Sequence, residues 1–132
     1  MKKILISFIV LFLFLSLSGT VVQKISSPDS RIRIEFAADS LRGPQSVPAY
    51  QVFYEDKVFL RPSVMGFEFA GQPIFNTCFR VTGIRTKENR NSWKPLYGEK
   101  ATYPDNYNEM GITITETILP FRILRIIFRA YN

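Results

Sequence analysis

A chain of 132 residues, 46% hydrophobic, 14% aromatic and 21% charged, makes one folded domain at most, and the profile excludes a disordered, collagenous or coiled-coil segment. It contains no His and a single Cys, Cys78, at a formal net charge of +6. A Ser-His-Asp triad, a Cys-His dyad, a His-bearing zinc site, a CxxC redox pair and an internal disulfide are therefore closed to it.

Lys2 and Lys3 precede an apolar run from Ile4 to Leu15 that only Ser7 interrupts, and Ser16-Leu17-Ser18 then offers the small-x-small pattern that a signal peptidase requires. The run is shorter than the roughly 20 residues that span a bilayer. Residues 1–18 read as a cleaved secretory signal, with an uncleaved anchor as the alternative. No Cys lies near the cut, so a lipid-modified N-terminal cysteine is excluded. The mature chain is expected in an exported compartment, periplasmic or extracellular, without membrane attachment once the signal is cleaved. Loss of Lys2 and Lys3 lowers the charge from +6 to +4. The remaining Lys and Arg are spread along the sequence, mostly alternating with apolar residues as on solvated strand faces, so no nucleic-acid partner is expected.

After the leader the text is a succession of short period-two segments between turn signals. Ser27-Pro28-Asp29-Ser30 is a turn, and Arg31 to Phe36 alternates strictly. Tyr50–Tyr54 and Val58–Leu60, separated by Glu55-Asp56-Lys57, have the spacing of a hairpin. Val64–Ala70 and Phe79–Ile84 predict further strands, and the polar stretch from Thr86 to Ser92 predicts a break. Trp93 to Asn108, with two Pro, one Gly, one Trp and three Tyr, predicts a long irregular connection. Ile112–Thr115 and Phe121–Phe128 predict the last two strands, the second so apolar that burial on both faces is expected. About seven short strands and no amphipathic helical run predict an all-β fold, an antiparallel β-sandwich. Phe36, Phe53, Phe67, Phe69, Phe79, Phe128 and Cys78 are candidate core residues. Because the text reads as strand up to Asn132, with no turn to close it, the domain over 19–132 is expected to be incomplete at its C-terminal end.

Trp93-Lys94-Pro95-Leu96-Tyr97-Gly98-Glu99, then Asp105 to Met110, then Leu124 to Asn132 resemble, in order and spacing, successive signatures of the N-terminal domain of glycoside hydrolase family 97. Ser27-Pro28-Asp29 and the stretch from Tyr50-Gln51-Val52 to Met65-Gly66-Phe67 are similar to that domain too. The resemblance implies a segment of a large β-sandwich that packs on a (β/α)₈ barrel, in exported α-glucosidases or α-galactosidases that use calcium. It also implies that the catalytic carboxylates and the calcium ligands lie outside these residues, so this chain is expected to hold no cofactor, no metal and no catalytic residue, and to meet oligosaccharide only within the full-length enzyme.

Glycoside hydrolysis needs two carboxyls across one bond, roughly 5 to 5.5 Å apart for retention or 6.5 to 9.5 Å for inversion. Glu99, Asp105 and Glu109 are the carboxylates in irregular text, and ion pairing that holds the connection together is the plainer role for them. Trp93, Tyr97, Tyr103 and Tyr107 offer aromatic faces for a sugar or, as the alternative, pack the connection onto the sheet. The candidate substrate-binding residues are thus Trp93, Tyr97, Glu99, Tyr107 and Glu109. Two functions compete: a non-catalytic scaffold and carbohydrate-binding part of an exported glycoside hydrolase, or a stand-alone exported β-domain that binds carbohydrate or a protein partner.

Overall fold

The computed structural model describes residues 22–38, 47–98, 101–118 and 121–132, so the leader over 1–18 and Glu99 lie outside the described residues. These residues form seven strands and no helix. They are β1 (Gln23–Ser26), β2 (Ile32–Ala37), β3 (Ala49–Tyr54), β4 (Lys57–Val64), β5 (Phe79–Trp93), β6 (Tyr103–Glu116) and β7 (Ile123–Tyr131). They make two antiparallel sheets, one ordered β1-β2-β3-β4 and the other β5-β6-β7. The all-β expectation is met.

Turn chemistry sets the first sheet. Between β1 and β2, Ser30 N–H donates to the Ser27 carbonyl (2.9 Å) and Ser27 Oγ donates to Asp29 Oδ1 (2.5 Å). That serine bond, followed by the Arg31 backbone N–H (3.1 Å), holds the Asp29 carboxyl below its ordinary pKa. Between β3 and β4, Glu55 and Asp56 both have positive φ (46° and 61°), the conformation of a two-residue type I′ hairpin turn. Neither is the Gly or Asn that such a turn favours. Arg31 and Arg33 compensate by bonding the Glu55 and Asp56 carboxylates.

The sheets stack by alternation. On β6, Met110, Ile112 and Ile114 point inward and are at most 1% exposed, while Glu109, Gly111, Thr113 and Thr115 point outward. Facing them are Ile25 from β1 and Ile34 and Phe36 from β2, and Ile126 and Ala130 from β7 complete the core. The rings of Phe36 and Phe128 lie 5.8 Å apart, and those of Tyr50 and Phe128 5.9 Å apart, bridging the two sheets.

Several sequence expectations are corrected here. The polar stretch from Thr86 does not break the chain: β5 runs on to Trp93 and pairs residue by residue with β6 from Trp93↔Tyr103 to Phe79↔Glu116. Pairing with β6 satisfies the backbone groups on one edge of β5 and water can reach those on the other, so a polar sequence is compatible with a strand here. Of the stretch expected to be irregular, Trp93 belongs to β5 and Tyr103–Asn108 to β6. The expected strand Val64–Ala70 is instead a loop beyond Val64, the last residue of β4, with the isolated Phe67↔Phe75 bridge within it, and Phe67 and Phe69 are half-exposed rather than core. Finally, β7 is buried on one face only: Ile126 is 9% exposed but Ile127 is 52%. Cys78 is half-buried, at a positive φ of 61°.

Truncating the inward Ile112 should cost about 2 to 5 kcal/mol, as buried aliphatic side chains do. Truncating the outward Ile127 should change stability by less than about 0.5 kcal/mol. Urea unfolding of Ile112→Ala and Ile127→Ala, compared with the parent chain, measures the difference; equal losses would mean that β7 is covered on both faces.

Candidate functional site

The second sheet extends beyond the first. β7 pairs with β6 from Tyr107↔Tyr131 to Thr115↔Ile123, and β5 and β6 continue their own pairing to Trp93↔Tyr103, a stretch called the arm below. Odd-numbered residues of this arm share one face, arranged in cross-strand rungs: Asn89 opposite Tyr107, Asn91 opposite Asp105, and Trp93 opposite Tyr103. The outermost rung is an aromatic pair, with ring centroids 5.3 Å apart and planes inclined by 22°. Trp93 stays 54% exposed on its partner. In the next rungs Asn89 Nδ2 donates to the Asp105 carbonyl (2.6 Å) and to Asp105 Oδ2 (2.8 Å), while Asn91 Nδ2 donates to Asn89 Oδ1 (2.8 Å). On the opposite face Arg90 donates to the Tyr107 carbonyl (2.9 Å) and to Asn108 Oδ1 (2.6 Å), and Asn108 Nδ2 donates to the Ser26 carbonyl (2.7 Å). These bonds fix the root of the arm to the first sheet.

The structure separates the residues singled out from the sequence. Trp93 lies on the arm and Tyr97 at its tip, where Tyr97 and Leu96 are more than nine-tenths exposed. Tyr107 is at the root, 7% exposed, its ring 5.0 Å from that of Tyr131 and under the Arg129 guanidinium, also at 5.0 Å. Glu109 is on the same face and accepts from Arg129 Nε at 2.7 Å. That bond, with the neighbouring Tyr107, raises the Arg129 pKa above its ordinary value. Packing onto the sheet thus describes Tyr107, whereas Trp93 and Tyr97 are surface residues. Tyr103 and Asp105, noted in the sequence as an aromatic face and a carboxylate, share this face with Asn89 and Asn91 from the polar stretch read as a break; the pairing register places the four together.

Among the described residues of this region no opposed pair of carboxyls follows from this arrangement. Asp105 and Glu109 lie four residues apart on one strand, about 14 Å at the antiparallel rise, and they turn to different partners, Asn89 and Arg129. A glycosidic general acid needs a raised pKa. The carboxyls with a resolved shift, Asp29, Glu35 and Glu116, are all lowered. For Glu35, burial pushes upward but is outweighed by Gln51 Nε2 at 2.7 Å, Lys24 Nζ at 3.2 Å and Arg33. Calcium takes six to eight oxygen ligands. Among the described residues no group of three or more His, Cys, Asp or Glu could hold a metal ion, so these residues do not fit the calcium that the sequence resemblance implies.

The strongest polar cluster was not legible in the sequence. Glu116 closes β6 at 3% exposure and accepts Arg122 at Nε (2.8 Å), at Nη2 (2.7 Å) and at the backbone N–H (3.0 Å). Arg122 also donates to the carbonyls of Pro73 (2.9 Å) and Ile74 (3.3 Å) and lies 4.6 Å over the Phe75 ring. One guanidinium thus ties the 65–78 loop to the β6–β7 turn. Its bonds hold the Glu116 carboxyl below the ordinary value of 4.5 despite burial. At the open edge between β1 and β5 a groove of about 430 Å³ is lined mainly by Gln23, Ala38, Phe79, Val81 and Ile84 and holds no constellation of reactive groups.

The family model described as glycosyl-hydrolase 97 N-terminal matches residues 25–132, and the chain belongs to that family. Among solved structures it is similar to a glycoside hydrolase family 97 enzyme from Pseudoalteromonas sp. strain K8 in complex with acarbose, at 25% identity and a TM-score of 0.75. It is likewise similar to a variant of an enzyme of that family and strain in complex with panose, at 26% identity and the same TM-score. In both cases the match covers 83% of this chain and 16% of the other, so the chain spans about a sixth of those enzymes. A β-arabinopyranosidase at 19% identity and a TM-score of 0.69, matched over 84% of this chain and 16% of its own, shares the fold.

Two outcomes test this description. Because Trp93 is half-exposed and held by a single aromatic pair, Trp93→Ala should cost about 0.5 to 1.5 kcal/mol, well short of the 3 to 5 kcal/mol of a core aromatic; a thermal melt distinguishes them. The lowered pKa of Glu116 means that its contribution is complete above pH 4.5, where the unfolded chain also carries the charge, and is lost as pH falls through the folded value. Stability of the parent chain should therefore drop on acidification below pH 4.5 more steeply than that of Glu116→Gln, which should already be less stable at pH 7. Parallel pH–stability curves would contradict the clamp.

Proposed function

We propose that this chain is the non-catalytic N-terminal β-sandwich portion of an exported glycoside hydrolase of α-glucosidase or α-galactosidase type, serving as scaffold and carbohydrate-contacting surface for a (β/α)₈ catalytic domain. The observation that carries this reading is the family match over residues 25–132 together with structures of which the chain spans about a sixth. The carboxylates agree with it, since Asp105 and Glu109 are separated along β6 and committed to Asn89 and Arg129. Of the residues singled out from the sequence, Trp93 and Tyr97 are exposed and are the ones assigned to a substrate contact, whereas Tyr107 is packed and Glu109 is paired with Arg129. Glu99, outside the described residues, is assigned to the same contact from the sequence. Export rests on the leader over residues 1–18 and is tested by sequencing the N-terminus of the secreted protein, with Gly19 expected as the first residue.

On this reading the 132-residue chain by itself turns over neither 4-nitrophenyl α-glucoside nor 4-nitrophenyl α-galactoside, with calcium present. Hydrolysis that vanishes in Glu109→Gln would place catalysis in this domain and refute the scaffold role.

A further inference from the structure

We propose that the outer face of the β5–β6–β7 sheet binds an extended acidic peptide, which lies along β6 in a shallow trough between two rows of longer side chains. The inference makes no use of the sugar contact proposed above.

The alternation that turns Met110, Ile112 and Ile114 into the core turns Gly111, Thr113 and Thr115 outward, together with their cross-strand neighbours. On β5 those neighbours include Arg80, opposite Thr115, and Arg85, opposite Gly111, with Lys87 one rung further on. On β7 they are Ile123, Arg125 and Ile127. Cations from distant parts of the sequence thus come to one face. Their outward direction is set by the packing of β6 and not by the ends of the chain. Arg80, Arg85, Lys87 and Arg125 are exposed, and none of them has an ion-pair or hydrogen-bond partner for its side chain among the described residues. The carboxylate on this part of the face, Glu109, is already engaged by Arg129 at 2.7 Å.

Between the two rows the floor is low. A Cβ placed on Gly111 would find its nearest neighbour, the Arg85 carbonyl, at 3.9 Å, so the space above this glycine is open. Gly83 lies beside Thr113 in the next rung. The rows stand two strand spacings apart, about 10 Å, which admits one extended chain.

The chemistry selects among occupants. Covering four unpaired cations with uncharged surface would strip their hydration without return, so the occupant is anionic. Arg85 and Lys87 stand two residues apart, about 7 Å, and the side chains on one side of an extended peptide repeat at the same distance. Carboxylates at alternate positions therefore meet this row in step, while the intervening residues reach the β7 row. That row is mixed: Ile123 and Ile127, 69% and 52% exposed, flank Arg125. A peptide brings apolar side chains among its carboxylates and covers both kinds of residue. A sulfated or phosphate polymer brings hydrated anions alone and leaves the isoleucines in water, and a lipid surface is too broad to enter the trough.

Titrating fluorescein-labelled octaglutamate with the 132-residue chain should give a saturable rise in anisotropy, with an affinity that falls as salt is added. Arg85→Gln and Arg125→Gln should each weaken binding about five-fold, the upper end for one exposed ion pair. Lys57→Gln, the same loss of charge on the other sheet, should bind as the parent does. Gly111→Val keeps the charge and fills the trough, so it should abolish binding while a thermal melt shows the chain still folded. No saturable rise, or equal losses from Lys57→Gln and Arg85→Gln, overturns the proposal. So does tighter binding of heparin than of octaglutamate, which would assign the face to a sulfated polymer. Binding of phosphatidylglycerol vesicles that displaces the peptide and survives Gly111→Val would assign it to a membrane and overturn the proposal equally.

Discussion

The structure depends on the alternation of β6. Because successive side chains of a strand point to opposite faces, one face of this strand supplies Met110, Ile112 and Ile114 to the space between the sheets and the other supplies Glu109, Thr113 and Thr115 to the outside. A shift of one residue in its pairing would exchange the two sets, burying a carboxylate and exposing three large apolar side chains. The first sheet meets the inner set with Ile34 and the fully buried Phe36, and burial of this kind, at roughly 25 cal/mol per Å² of apolar surface, is the main stabilising contribution available to so small a domain. Every feature of the outer face, including the arm, inherits its position from that packing.

The ends of the sandwich are held by polar contacts of a different kind. At one end Glu116 and Arg122 form a forked ion pair whose remaining donors reach the loop carbonyls of Pro73 and Ile74, so a segment with little regular pairing is fixed by a single guanidinium. At the other end Asn108 reaches the Ser26 carbonyl, and Asn132 Oδ1 accepts from the Asp29 backbone at 3.1 Å, joining the β1–β2 turn to the second sheet. Both sets are short-range and directional. They orient the ends, whereas the apolar layer between the sheets supplies the affinity of one for the other.

The arm follows from the same economy of backbone hydrogen bonds. Past the Tyr107↔Tyr131 pair the ladder between β5 and β6 continues as far as Trp93↔Tyr103. A two-stranded ribbon in water is marginal without cross-strand side-chain contacts, and the rungs provide them: an aromatic stack at the tip, then an amide and carboxylate network. The contacts that make the ribbon stand are also those that place an open indole beside polar groups, which is why the arm rather than the flat body of the sheet is the candidate for contact with sugar.

The sequence by itself determined the all-β class, the turn at Ser27–Ser30, the hairpin at Glu55-Asp56 and the family, because these depend on local alternation, turn residues and motif order. It also excluded the His- and Cys-dependent chemistries outright. It could not locate the arm. Thr86 to Ser92 is polar on both faces, and period-two patterning detects a strand only where one face is buried, so a ribbon in water leaves no such mark. Nor could it decide that Tyr107 is covered, since this depends on Arg129 and Tyr131 arriving from another strand. The Arg122 clamp was hidden for the same reason: its loop partners lie 48 and 49 residues away, and only the closing of the two sheets brings them within a hydrogen bond.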